Sequence, residues 1–265
     1  MVTRAPEQSK ELRERLEESG AEVLMLPLVR FLEPEDTVEL DGAIGSLKRF
    51  DWLIFTSANA VTFFLRRCRA LGIWPSGKDA KIAAVGSATR AAVEKEGLQA
   101  SLVPAEFSGA GLATELSSDI AGKSVLLPRS DRAGDELPSL LRGSGATVTE
   151  VVAYRTAAAE AVDASLIEAI RKGRADAVTF FSPSAFREFQ NLMGPGALAE
   201  LESHTTFAAV GAVTAEAIRG AGLPVAIEAD QATTASLVAA LERHFSTHEI
   251  KPAAREDGSR KRREA

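Results

Sequence analysis

Several things are scarce in these 265 residues, and each scarcity excludes something. There is one cysteine, Cys68, so no intrachain disulfide is possible and a reducing cytoplasm is the expected compartment. No apolar run approaches the roughly 20 residues of a membrane span. The opening, MVTRAPEQSKEL, has no apolar stretch of the kind a signal peptide needs. The three histidines, His204, His244 and His248, show no metal-ligand spacing, and no phosphate-binding glycine loop or nucleophile elbow is present. Gly109-Ala-Gly111 starts like a dinucleotide loop, but Thr114 stands where the third glycine belongs. No metal or organic cofactor is therefore expected. The formal net charge of −6 argues against nucleic acid as a partner. Tyrosine is also rare: Tyr154 is the only one.

What the chain does have is itself, twice. Ala83 to Leu98 reads AAVGSATRAAVEKEGL and Ala208 to Leu223 reads AAVGAVTAEAIRGAGL, identical at eight of sixteen positions. The offset of 125 also carries Arg4 onto Arg129, Leu12 onto Leu137, Gly20 onto Gly145, Phe55 onto Phe180 and Ser57 onto Ser182. A repeat of this length is a duplicated domain, large enough for each copy to bury a core. Two similar lobes imply a cleft in which a small molecule binds.

Each copy alternates short apolar runs with helix-period segments. Leu12 and Leu16, like Leu137 and Leu141, stand at i,i+4, and glycines 20 and 145 close those helices. The runs at Asp51–Phe55 and Asp176–Phe180 are almost continuously apolar, as strands buried on both faces are. The pattern predicts an α/β fold of two flavodoxin-like lobes, each with a parallel five-stranded sheet. The copies are not equally complete, because Met1 aligns with Leu126: the first strand is either short or begins upstream. From Lys251 the chain carries six basic and three acidic residues with almost nothing apolar, so 248–265 reads as a disordered tail.

In such folds ligands meet the loops at the carboxyl ends of the strands. Those loops form matched pairs here: Arg4 with Arg129, Thr56-Ser57-Ala58-Asn59 with Phe181-Ser182-Pro183-Ser184, and Gly86-Ser87-Ala88-Thr89 with Gly211-Ala212-Val213-Thr214. Taken singly, Ser57 and Ser182 read as helix N-caps. As a set, several helix N-termini in one region offer backbone donors suited to carboxylates or phosphates. Cys68 falls on the apolar face of a helix and reads as core. Tyr154 lies at the end of a strand, at the junction of the two copies, and reads either as packing or as a residue with a role of its own.

Together these residues resemble the uroporphyrinogen-III synthase family. The resemblance rests on VTRAP at the start, FTSANAV at Phe55–Val61, AVGSAT at Ala84–Thr89 and LPRS at Leu127–Ser130. It continues in AYRT at Ala153–Thr156, FFSPSA at Phe180–Ala185 and AVGAVT at Ala209–Thr214. It implies a lyase that closes the linear tetrapyrrole hydroxymethylbilane with inversion of ring D and loss of water, chiefly by orienting it. It implies Tyr154 and Thr214 as catalytic, and Arg4, Thr56, Ser57, Asn59, Gly86, Ser87, Thr89, Arg129, Ser182, Ser184 and Gly211 as substrate-binding. Asn59 departs from members with arginine there, and Val213 from those with a second hydroxyl residue. It also implies an exchanged arrangement: lobe one from 1–30 with 157–247, lobe two from 35–152, and crossings at 31–34 and 153–156 that pair as a two-stranded β-ladder linker. Simple tandem lobes fit the repeat equally well. A monomer is expected, with hand-over of substrate from hydroxymethylbilane synthase, and no nucleic-acid or membrane partner. A non-catalytic binding protein for an anionic metabolite, or a degenerate synthase copy, would share these loops.

Overall fold

The computed structural model describes residues 1–75 and 80–247; the predicted tail at 248–265 lies outside them. In chain order the elements are α1 (Lys10–Glu18), β1 (Val29–Leu32), α2 (Val38–Gly45), β2 (Trp52–Phe55), α3 (Ala58–Ala70), β3 (Lys81–Ala84), α4 (Ser87–Lys95), α5 (Gly109–Leu116) and β4 (Ser124–Ser130). There follow α6 (Glu136–Gly143), β5 (Thr147–Ala158), α7 (Ala164–Arg171), β6 (Ala177–Phe180), α8 (Pro183–Met193), α9 (Pro195–Leu201), β7 (Thr206–Ala209), α10 (Ala212–Gly220), β8 (Ile227–Glu228) and α11 (Thr234–Thr247). They sort into two compact units, one of 1–28 with the chain from Ala159 onward, the other Val29–Ala158.

The second unit carries a five-stranded sheet in the order β1-β5-β4-β2-β3. Strands β5, β4, β2 and β3 are parallel, whereas β1 runs antiparallel to β5, pairing Val29 with Ala158 and Leu32 with Arg155. The sheet is thus mixed, a correction to the all-parallel expectation. The predicted fifth parallel strand shrinks to one bridge, Ala83 to Leu102, because Pro104 follows at once and cannot donate to a ladder. Strand β2 shows why the apolar run is continuous. Leu53 and Phe55 enter the cluster with Phe64 and Leu65 of α3, while Trp52 and Ile54 enter the opposite one with Leu112 and Leu141.

The first unit has three named parallel strands, β6-β7-β8. The two further strands expected there are single bridges, Val2 to Met25 and Val2 to Thr179. Pro6 and Pro27 interrupt the donor pattern just beyond these bridges. Leu12 and Leu16 of α1 meet Leu237 and Leu241 of α11 in one cluster. On another side Phe180 contacts Phe186, Phe189 and Phe207 at centroid distances of 5.2–6.4 Å. Glycines 20 and 145 follow their helices at φ of 86° and 87°, the left-handed geometry the sequence predicts.

Candidate active site

In the second unit the carboxyl ends of β2, β4 and β5 converge on the Tyr154 ring. Strand β2 runs out through Thr56 to Ser57, whose extended backbone starts α3 and whose Oγ accepts from the Ala60 N–H at 3.1 Å. The same Oγ lies 3.2 Å from Tyr154 Oη. The β4–β5 ladder shifts register between Arg129 and Ser130, so that Ser130 pairs with Tyr154. A bulge of this kind re-aims a side chain at the end of a sheet. The Tyr154 ring is fixed on both sides: Phe63 of α3 stacks on it at 5.6 Å and 26°, and Phe31 of β1 meets it edge-on at 5.6 Å and 79°.

The phenol is buried, and burial pushes its pKa above the usual tyrosine value. The hydroxyls of Ser57 and Ser130 pull back by favouring the ionised form, and the Asp131 carboxylate pushes the same way as burial. The net direction is upward, so at neutral pH the phenol is a proton donor.

Around it Ser130 donates to Asp131 Oδ1 at 3.1 Å, accepts from the Arg132 N–H at 3.2 Å and lies 3.1 Å from Thr156 Oγ1. Asp131 also accepts from the Thr156 N–H at 2.9 Å. The sequence motifs do not single out Phe31, Phe63 or Thr156, and they give Ser130 only as part of the ligand-facing loop 128–131. For Phe63 and Ser130 the signal lies in departures from the repeat, since they align with Glu188 and Ala5, as Tyr154 does with Val29.

The other predicted residues of this unit lie on neighbouring loops. Asn59 sits half-buried in the first turn of α3. Gly86, at φ +89°, turns the chain from β3 into α4; Ser87 is exposed and Thr89 buried on that helix's first turn. Arg129 is already paired. Its guanidinium donates to Glu150 and to the Gly134 carbonyl, with Asp135 at 4.0 Å, and it is 7% exposed.

The first unit holds the remaining candidates. Arg4 lies over the Phe181 ring at 4.9 Å and donates from Nε to Gln8 at 3.3 Å. Its burial lowers its pKa from the usual arginine value. Ser182 caps α8 by accepting from the Ala185 N–H at 3.2 Å, and its Oγ lies 2.9 Å from that of Ser184. Gly211 leads into α10 with extended backbone, and Thr214 is buried one turn in. The structure thus gathers Ser57 with Tyr154 around one phenol, and gathers Ser182 with Ser184. Tyr154 and Thr214 stand on different units. Cys68 is buried, its thiol pushed up to about 12 by desolvation, as a core residue's is. Among the described residues no three His, Cys, Asp or Glu side chains group as metal ligands. Among the same residues no helix is long and apolar enough to cross a membrane.

The family model described as uroporphyrinogen-III synthase HemD matches residues 10–239. The chain belongs to the uroporphyrinogen-III synthase family. A uroporphyrinogen-III synthase of Synechococcus elongatus is 31% identical over 194 residues, covering 73% of this chain and 74% of the relative. A putative uroporphyrinogen-III synthase of Methanothermobacter thermautotrophicus is 31% identical over 245 residues, covering 91% and 96%. A crystal structure of a mutant uroporphyrinogen III synthase from Thermus thermophilus superposes with a TM-score of 0.68 at 18% identity, covering 93% of this chain and 98% of that one. The Helicobacter pylori member gives 0.59 at 20% identity, covering 86% and 94%. At these identities the solved structures speak for the α/β fold.

Proposed function

We propose that the chain acts as a uroporphyrinogen-III synthase, a cyclising lyase that converts hydroxymethylbilane to uroporphyrinogen III with inversion of ring D and release of water. Family membership over most of the chain supports the reaction. The observation that carries the mechanism is the Tyr154 phenol, buried, held in place by two aromatic rings and raised in pKa.

The phenol donates its proton to the departing hydroxyl. The carbon–oxygen bond breaks, water leaves, and the pyrrole N–H next to that carbon gives up a proton as the azafulvene forms, returning the phenol to its neutral state. General-acid help of this sort contributes about 10²–10⁴-fold at most sites. The larger demand is orientation, since the substituted carbon of the last ring must reach the azafulvene before the unsubstituted one does. Holding two reacting centres in place is worth about 7–11 kcal/mol at best.

The substrate carries an acetate and a propionate on every ring, and each unit offers donors for them. On the second unit these are Thr56, Asn59 and the first turn of α4 with Gly86, Ser87 and Thr89. On the first they are Arg4, Ser182, Ser184, Gly211 and Thr214. Helix N-termini hold anions without a basic patch, which suits a chain of net charge −6. A flavodoxin-like strand order in each unit, joined by the β1–β5 ladder, a cytoplasmic location, a monomeric state and hand-over from hydroxymethylbilane synthase belong to the same reading.

The test is direct. Enzymatically generated hydroxymethylbilane, incubated with the purified chain with and without EDTA, should give the III isomer in both cases. Formation of only the symmetric I isomer, at the rate seen without protein, would refute it. Activity lost to EDTA and restored by a metal ion would refute the cofactor-free mechanism.

A further inference from the structure

We propose that Ser57 is a positioning residue for Tyr154: its hydroxyl donates to the phenolic oxygen, which leaves the phenol's own proton free for the ligand. The inference rests on the reading of Tyr154 as the proton donor, and it reassigns Ser57 from substrate contact to control of that donor.

A serine hydroxyl has one proton and two acceptor positions. In Ser57 one acceptor position is taken by the Ala60 N–H at 3.1 Å, the cap that starts α3. The other neighbour of Oγ is Tyr154 Oη, at 3.2 Å. Either oxygen can be the donor across this contact, and we assign that role to Ser57 because Tyr154 Oη is the acceptor within reach of its proton. Ser130 is the second hydroxyl near the ring and also favours the ionised phenol, but it has further partners. It donates to Asp131 Oδ1 at 3.1 Å and accepts from the Arg132 N–H at 3.2 Å.

The ring cannot swing away, because Phe63 and Phe31 hold it from two sides. Phe63 rides on the same helix that Ser57 caps, so one element delivers both contacts. The charged groups facing the site are Asp131 at the end of β4 and, beyond Phe63, Arg66, which lies over that ring at 5.0 Å and 3.6 Å from Glu33. Neither replaces a hydrogen bond to the phenolic oxygen. As the phenol hands over its proton, the Ser57 O–H is in place to stabilise the negative oxygen left behind. The repeat supplies an internal contrast: Ser182 is the partner of Ser57, but Val29 is the partner of Tyr154, and Ser182 Oγ meets Ser184 instead, at 2.9 Å.

Because Tyr154 is the only tyrosine, ¹³Cζ-tyrosine labelling of the full chain gives one resonance that reports this phenol alone. The variant of choice is Ser57→Gly, since glycine in place of a serine cap costs only a few tenths of a kcal/mol; Ser57→Thr keeps both the cap and the hydroxyl. We expect the Tyr154 resonance of Ser57→Gly to move at neutral pH and its ionisation midpoint to rise, while Ser57→Thr matches the parent. The kcat of Ser57→Gly should fall about tenfold with KM little changed, the size of one hydrogen bond to a developing charge. In a Tyr154→Phe background the same substitution should add no further loss.

An unmoved resonance in folded Ser57→Gly overturns the proposal. So does a loss carried by KM that persists in Tyr154→Phe, which would make Ser57 a carboxylate ligand. The resonance is read without substrate, so it judges the Ser57–Tyr154 contact even if hydroxymethylbilane proves not to be converted.

Discussion

Arg129→Met separates a substrate ligand from a structural cation. The methionine keeps most of the aliphatic volume and removes the guanidinium. In the structure that guanidinium donates to Glu150 and to the Gly134 carbonyl, with only 9% of its side chain exposed. Removing one member of a buried pair typically costs about 3–5 kcal/mol, because the other charge is left behind. Glu150 is not left alone, however. Its side chain is 26% exposed and it keeps Arg142 at 2.7 Å, so about 2 kcal/mol is the better expectation after allowing for solvent. For a chain of this size that is roughly 4–8 °C in Tm.

The pH dependence gives a second handle. Burial alone would raise the Glu150 carboxyl, but hydrogen bonds and charge from Arg142 and Arg129 outweigh it and hold the pKa below the usual glutamate value. A depressed folded pKa contributes stability that is fully present above the unfolded value of about 4.3 and lost as pH falls through the folded one. The gap in Tm between parent and Arg129→Met should therefore be widest near pH 6–7 and narrow in acid below about pH 4. Thermal melts across that range, with KM measured at neutral pH, complete the assay. An unchanged Tm together with a severalfold rise in KM would refute the structural assignment and restore Arg129 as a carboxylate ligand.

Three further outcomes follow from the geometry. Tyr154→Phe removes one oxygen and keeps both aromatic contacts, so it should fold normally and lose up to about 10²-fold in kcat, with Thr214→Ala losing less; a fully active Tyr154→Phe enzyme would make the tyrosine a packing residue. Gly86→Ala should cost about 1–2 kcal/mol because Gly86 sits at φ +89°. Gly211→Ala should be nearly neutral, its backbone being extended and its added Cβ in ordinary contact, 3.6 Å from the Ala232 Cβ; equal melting shifts for the two would refute this. Cys68, buried with its thiol pushed up to about 12, should resist thiol reagents at pH 8 in the folded chain and react on unfolding, and rapid labelling of native protein would contradict its place in the core.

Much of this was legible because the signals are local. An i,i+4 pair such as Leu12 and Leu16, a glycine after a helix, and an unbroken apolar run each depend on a few neighbouring residues, and the repeat states each of them twice. Partner choice is different in kind. Nothing within the 125-residue offset says that Val125, in the second copy, pairs with Trp52 of the first, because either copy's strand offers the same apolar faces. Nor does it say that Gly86 and Gly211, identical by alignment, take backbone angles as different as +89° and 179°. A Cβ added at the two positions would also meet different neighbours, Phe107 at 3.7 Å and Ala232 at 3.6 Å.

Arg129 differs from its repeat partner for a related reason. Its alignment with Arg4 suggested a shared task, but Glu150 lies 21 residues downstream on the adjacent strand, where only the β4–β5 register brings it into reach. The first copy has Met25 at the corresponding position, so Arg4 is left to lie over Phe181.

The repeat also points to the chemistry. A duplicated fold keeps what holds each unit together and frees whatever only one unit needs. Tyr154, Ser130 and Phe63 stand opposite Val29, Ala5 and Glu188, three departures far apart in the chain. The structure brings all three to one phenol. In a chain written twice, the positions that fail to repeat are therefore where a single reaction, which has no symmetry of its own, leaves its mark.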